Sequence, residues 1–118
     1  MRTLILVILC CFGVATSTFA HAFVDHAVPA VGSTVHAAPV EVKIWFTEKL
    51  VLPFCELRVL DASGAEVDKR DKHLDQGNGE LMIVSLPTLK PGKYIVSWRA
   101  TSEDTHVTTG TFTFVFSP

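Results

Sequence analysis

The sequence predicts an all-β domain, an antiparallel β-sandwich or Greek-key barrel, and three observations predict it. The composition is apolar and rich in Val, Phe and Thr, types that suit a pleated, half-buried surface. About seven short apolar runs are separated by regular turn signals. No stretch of the mature chain has the period of a helix. With 118 residues, the chain is long enough for one such core and too short for two.

Each element follows from its pattern. Residues 23–28 form a first candidate strand, ended by Pro29 and the small segment through Gly32. Residues 40–46 alternate, with Val40, Val42, Ile44 and Phe46 on one face and Glu41, Lys43 and Thr47 on the other. Trp45 interrupts the polar face and is expected under a loop. Pro53 separates this strand from residues 54–60. The turn Asp61-Ala62-Ser63-Gly64 leads to a short strand over residues 65–69. Most of residues 68–80 reads as a solvated loop, because it is charged and carries Gly77-Asn78-Gly79. Residues 81–86 suit a buried strand. Pro91-Gly92 fits the centre of a type II turn, where Gly accepts positive φ. Residues 93–100 place Tyr94, Val96 and Trp98 on one face, and residues 110–116 place Phe112, Phe114 and Phe116 on one face. The phenylalanine stripe is core, not a ligand pocket.

Charge and targeting narrow the function. The formal net charge is −2 and the basic residues are scattered, so no nucleic-acid surface is indicated. Residues 1–20 read as a signal peptide, with Arg2 as the positive start, an apolar stretch from Leu4 and small residues at Ala15 to Ser17. That stretch is short for a membrane span, and no later segment is long enough. Leu9 before Cys10 argues against a lipid-anchor site. Cleavage after Ala20 would make His21 the first mature residue, and cleavage after Ala22 would discard it. Both fit the small-x-small rule. Cleavage after Ala20, giving a mature domain over residues 21–118, is preferred because of what the far end of the chain contains. Only Cys55 then remains, which excludes a disulfide within the domain. It alternates with Leu57 and Val59 and reads as a small buried hydrophobe.

Five histidines are present. His73 lies in the charged loop and His36 in a turn, and an isolated surface histidine usually has no role. His26 lies close to His21 in sequence, yet extended residues five apart point to opposite faces, so it reads as a bystander. His21 and Asp104-Thr105-His106 differ. Residues two apart on an extended segment point to one side, so Asp104 and His106 can converge on one ion. An N-terminal His21 adds its amine and ring Nδ1. The resulting mixed nitrogen and oxygen set suits one Cu(II) ion, and export makes the oxidised ion plausible. From spacing alone the signal is modest, since an exposed strand-end pair is the plainer reading of Asp-x-His.

Several motifs add to it. His21-Ala22-Phe23, followed by Pro29-Ala30-Val31-Gly32-Ser33, resembles the mature start of the CopC family of periplasmic copper-binding proteins. Phe46-Thr47-Glu48 resembles its Phe-Ser-Glu segment. Leu89-Lys90-Pro91-Gly92-Lys93-Tyr94 and Trp98-Arg99 resemble its Pro-Gly-x-Tyr and Trp-Arg signatures. Ser102-Glu103-Asp104-Thr105-His106 resembles its Ser-x-Asp-Gly-His segment. The resemblance runs in order over essentially the whole mature chain. It implies a seven-stranded cupredoxin-like or immunoglobulin-like sandwich, a periplasmic location and a role in copper homeostasis or resistance. It also implies that His21, Asp104 and His106 are Cu(II) ligands. Glu48 matches a family glutamate placed near the N-terminal amine; a solvated strand-end residue is the other reading. Two departures stand out. Thr105 replaces a Gly, and a β-branched residue would be strained there if the position requires positive φ. The chain has only Met1 and Met82, which argues against the thioether Cu(I) site of methionine-rich relatives.

The expected function is therefore a carrier or buffer for one Cu(II), not an enzyme. Some relatives work with a membrane protein that moves copper, so a separate inner-membrane copper transport protein is the expected partner. Two other classes compete. Copper oxygenases also use an N-terminal histidine brace, but a carboxylate ligand would block a position that oxygen activation needs open; peroxide production by the reduced, copper-loaded protein discriminates. A metal-free structural or adhesion sandwich would fail to bind copper at all.

Overall fold

Alternating apolar side chains close two four-stranded sheets over one core in the structure, a computed structural model that describes residues 22–118. The signal segment and His21 lie outside the described residues. The strands are β1 (Val24–Val28), β2 (Thr34–Val35), β3 (Glu41–Phe46), β4 (Glu56–Asp61), β5 (His73–Asp75), β6 (Asn78–Ser85), β7 (Gly92–Thr101) and β8 (Val107–Phe116). One sheet runs β1-β3-β6-β5 and the other β2-β8-β7-β4. The all-β sandwich is as the sequence predicts, with eight strands among the described residues instead of seven. One pair, β2 with β8, is parallel. A 3-10 turn, Leu52–Phe54, leads into β4.

The inward faces match the alternation. Val42, Ile44 and Phe46 of β3 meet Tyr94 and Val96 of β7 and Phe112, Phe114 and Phe116 of β8 in one buried cluster. Cys55, Leu57 and Val59 belong to the same cluster, so the thiol is a core group as its spacing predicts. Both faces of β6 are buried: Met82 and Val84 join the core, and Leu81 and Ile83 are buried on the opposite face.

Four local expectations are corrected. Residues 65–69 are not a strand. Val67 N–H reaches the Val59 carbonyl at 2.8 Å, but the next donor, Val59 N–H, is taken by the Asp68 carboxylate at 2.8 Å, so a side chain interrupts the ladder. The charged loop contains β5, whose hairpin to β6 turns at Gln76-Gly77 between the paired Asp75 and Asn78. Pro91-Gly92 does not form a type II turn: Gly92 has φ 150° and opens β7. Trp45 does not lie under a loop. Its ring stacks on His26 at a centroid distance of 4.3 Å, on the face of β3 opposite Ile44.

The end of the sandwich that holds the candidate site is set by Phe46 and Trp98. Trp98 meets Phe46 edge-on at 5.3 Å and lies flat across Gly110, its partner on β8. A Cβ on Gly110 would come within 2.5 Å of the indole, so glycine is required for this contact. Beyond Phe46 the chain turns through Thr47-Glu48-Lys49 along the loop that joins β7 to β8. Lys49 O accepts from Glu103 N–H at 3.2 Å, and Leu50 bridges Ser102.

Candidate metal centre

The β7–β8 hairpin brings Asp104 and His106 together, though not in the way a strand would. Their segment is a tight turn. Thr105 N–H donates to Ser102 O at 2.9 Å, and Ser102 N–H donates to His106 O at 3.0 Å. Thr105 takes φ 71°, the left-handed region. The sequence expectation of an extended Asp-x-His is thus corrected, and it is the turn that brings the two side chains together.

The turn also sorts the two carboxylate oxygens. Asp104 Oδ1 accepts from the Ser102 hydroxyl and, at 3.4 Å, from His106 N–H. Oδ2 is left facing His106 Nδ1 at 3.1 Å. The Ser102 hydrogen bond holds the Asp104 carboxyl below the usual carboxylate range; partial desolvation opposes this, and the bonds from His106 add to it. Asp104 is therefore an anion throughout the neutral range. Two cis donors, each about 2.0–2.2 Å from one metal, lie roughly 3 Å apart. The oxygen-to-nitrogen separation fits that requirement when Nδ1 carries its lone pair, and a carboxylate with an imidazole is a donor set a divalent ion accepts. The side chains are partly exposed, at 43% and 34%, but His106 Nδ1 itself is buried, so its access depends on the chain around it.

The other sequence-derived residues divide clearly. Glu48 lies in the same groove as Asp104, together with Lys49, Glu80, Ser102 and Glu103. His26 does not join the site: its Nδ1 pairs with Asp25 at 2.6 Å and its ring lies on Trp45. His36 Nδ1 contacts Ser117 O at 2.7 Å, 81 residues away in sequence, and His73 Nδ1 contacts Asp71 O at 2.9 Å; both contacts are exposed. His21 lies outside the described residues, but the residue after it is firmly placed. Ala22 is fully buried, and its carbonyl accepts from the Thr108 hydroxyl, two residues beyond His106. Sequence reasoning assigned no role to Ser102 or Thr108. Ser102 stood within a quoted motif; Thr108 had no signal at all.

The turn carries a test of its own. A left-handed conformation costs a residue with a Cβ roughly 1–2 kcal/mol, and glycine's greater entropy loss returns about 0.5–1 kcal/mol of that. Thr105→Gly is thus expected to stabilise the protein by up to about 1 kcal/mol, a rise of several degrees in Tm for a domain of this size. A fall in Tm would mean that Thr105 makes contacts worth more than its strain.

Comparison with known proteins agrees with the fold and with the family that the motifs resemble. The family model for the CopC domain matches residues 24–117. Protein YobA of Escherichia coli (strain K12) is 32% identical over 102 residues, covering 86% of this chain and 82% of that protein. Copper resistance protein C of Pseudomonas syringae pv. tomato is 33% identical over 101 residues, covering 80% and 79%. Copper transport protein CutJ of Bacillus subtilis is 30% identical over 99 residues, which span 83% of this chain but 18% of that longer protein. Among solved structures, CopC from Methylosinus trichosporium OB3b superposes with a TM-score of 0.74 at 27% identity, covering 83% of this chain and 95% of that one. PcoC, a methionine-rich copper resistance protein from Escherichia coli, gives a TM-score of 0.73 at 30% identity, covering 83% and 100%. A family match across nearly all the described residues, with relatives above 30% identity over most of both chains, places this chain in the CopC family.

Proposed function

We propose that the exported protein, cut after Ala20, binds one Cu(II) ion as a periplasmic carrier or buffer in copper resistance and homeostasis. The His21 amine and ring, Asp104 and His106 supply the donors. The observation that carries this reading is the 3.1 Å approach of Asp104 Oδ2 to His106 Nδ1, at the end of the sandwich where Ala22 is held. The Ala22 carbonyl accepts from the Thr108 hydroxyl, two residues beyond His106, which supports an amino-terminal ligand joining that pair. The names of the relatives, copper resistance protein C and copper transport protein CutJ, support copper as the cargo.

Each residue has a distinct task. Asp104 offers one oxygen, because Ser102 and the His106 amide already occupy the other. His106 offers an imidazole nitrogen beside it. Glu48 lines the same groove as Asp104 and adds negative charge there. Met82 is fully buried in the core, so a thioether Cu(I) site is not part of this proposal. The carboxylate ligand takes a position that oxygen activation would need open, which favours carriage over catalysis. No helix among the described residues is long and apolar enough to cross a membrane, and delivery is assigned to a separate inner-membrane copper transport protein.

The test is a Cu(II) titration of the mature protein at two pH values. One equivalent should bind at pH 7. Affinity should fall as the pH drops to 5, because protons compete for the amine and imidazole lone pairs while Asp104, with its lowered pKa, stays ionised. A flat affinity over that range would mean a site made of carboxylates alone. No binding would leave the metal-free sandwich as the better reading.

A further inference from the structure

The ladder that holds β1 begins at Val24, paired with Phe46, and one backbone bond extends it to Phe23, so among the described residues the pairing stops short of Ala22. A chain end beyond its last ladder pair ordinarily frays. Here two threonines extend the order. Thr108 Oγ1, on β8, donates to the Ala22 carbonyl. Thr47 Oγ1, just past β3, accepts from Phe23 N–H at 3.0 Å, and Thr47 N–H donates to Phe23 O at 2.9 Å. The methyl of Ala22 is buried in the core cluster. Residues 22 and 23 are thus tied to both sheets at once, immediately downstream of the position that the proposed function assigns to the amino-terminal ligand.

We propose that Thr108 is a positioning residue for that ligand: by holding the Ala22 carbonyl, its hydroxyl fixes the amino-terminal residue beside the Asp104–His106 pair. The inference rests on the reading of His21 as the first residue and a copper ligand. Thr108 lies two strand residues past His106, about 7 Å along the chain, so the anchor and the two described donors belong to one rigid edge. An unanchored chain end must be ordered when the ion binds, and that entropy cost is subtracted from affinity. A pre-held end has paid it in folding. Outer contacts of this kind typically change metal affinity by about 10–100-fold.

The experiment compares Cu(II) affinity in the protein beginning at His21 for wild type, Thr108→Val and Thr108→Ser. The Val variant keeps the shape and loses the donor, and should bind about tenfold more weakly. The Ser variant restores the hydroxyl and should recover most of that loss. The same Thr108→Val change is then made in a background where His21→Ala and one added leading residue remove both amino-terminal donors. There it should have no effect on the residual affinity. An equal loss in that background would mean that Thr108 acts through the fold or through His106, and would overturn the proposal. Wild-type binding left unchanged by Thr108→Val would overturn it too, while leaving the proposed function standing. Failure of wild type to bind copper would instead remove the function itself. If Thr108→Val does not fold, Thr47→Val, which removes the acceptor of Phe23 N–H, carries the same expectation: a loss in the His21 chain that disappears in the donor-free background.

Discussion

Phe114→Ala is expected to destabilise the apo-protein by about 3–5 kcal/mol, the usual cost of deleting a buried aromatic ring and leaving a cavity. Phe114 has no exposed surface, pairs with Tyr94 across β7 and β8, and stacks on its ring at a centroid distance of 5.4 Å. Phe112 and Phe116 flank it on the same face, so no neighbouring side chain is free to fill the space without losing its own contacts. Small domains are stable by only about 5–15 kcal/mol in total, so this single change removes a large share. Urea unfolding of wild type and variant measures it. A loss below about 1 kcal/mol would mean that the two sheets close over the gap and that the phenylalanine stripe is not the centre of the core.

His106→Ala should have the opposite profile. It is expected to abolish tight Cu(II) binding while changing apo stability by less than about 0.5 kcal/mol, the ordinary range for a substitution away from the core. The side chain is about one-third exposed and its neighbour Asp104 keeps its bonds from Ser102 and the residue-106 amide. Copper titration and apo melting of this variant, beside Phe114→Ala, separate chemistry from packing. A large fall in apo Tm would make His106 a structural residue. Normal copper binding would place the ligands elsewhere.

The core was legible because strand burial has a period of two. Val42, Ile44 and Phe46, then Tyr94, Val96 and Trp98, then Phe112, Phe114 and Phe116 could be assigned to inward faces by counting alone. The missed elements lack that signal. β2 has two residues and is held by its ladder to β8, and β5 has three, none of them buried, held by pairing to β6. Neither depends on an apolar stripe. The false strand at residues 65–69 failed because the Asp68 carboxylate competes with the backbone for Val59 N–H, a substitution that residue pattern does not encode.

The site was legible to a different degree. The approach of Asp104 to His106 was expected from spacing, but for another geometric reason: a tight turn with Thr105 at positive φ brings them together, not an extended strand. The strain anticipated for a β-branched residue at this position is present. The hydroxyl of Ser102 donates to the Asp104 carboxylate, and that of Thr108 to a carbonyl 86 residues away in sequence. The Thr108 contact depends on the folded arrangement of distant strands, so no local pattern announces it, whereas Ser102 and Asp104 are two residues apart in one turn.

Everything proposed for the copper site requires His21 to stand first. The direct test is to compare Cu(II) affinity for the protein beginning at His21 with the same protein carrying one extra residue ahead of it. The added residue displaces the α-amine from its place beside the His21 ring without touching Asp104, His106 or the core. The account predicts a loss greater than the roughly 10–100-fold that removal of an outer contact costs, because a direct donor is lost. Equal affinity in the two chains would contradict it.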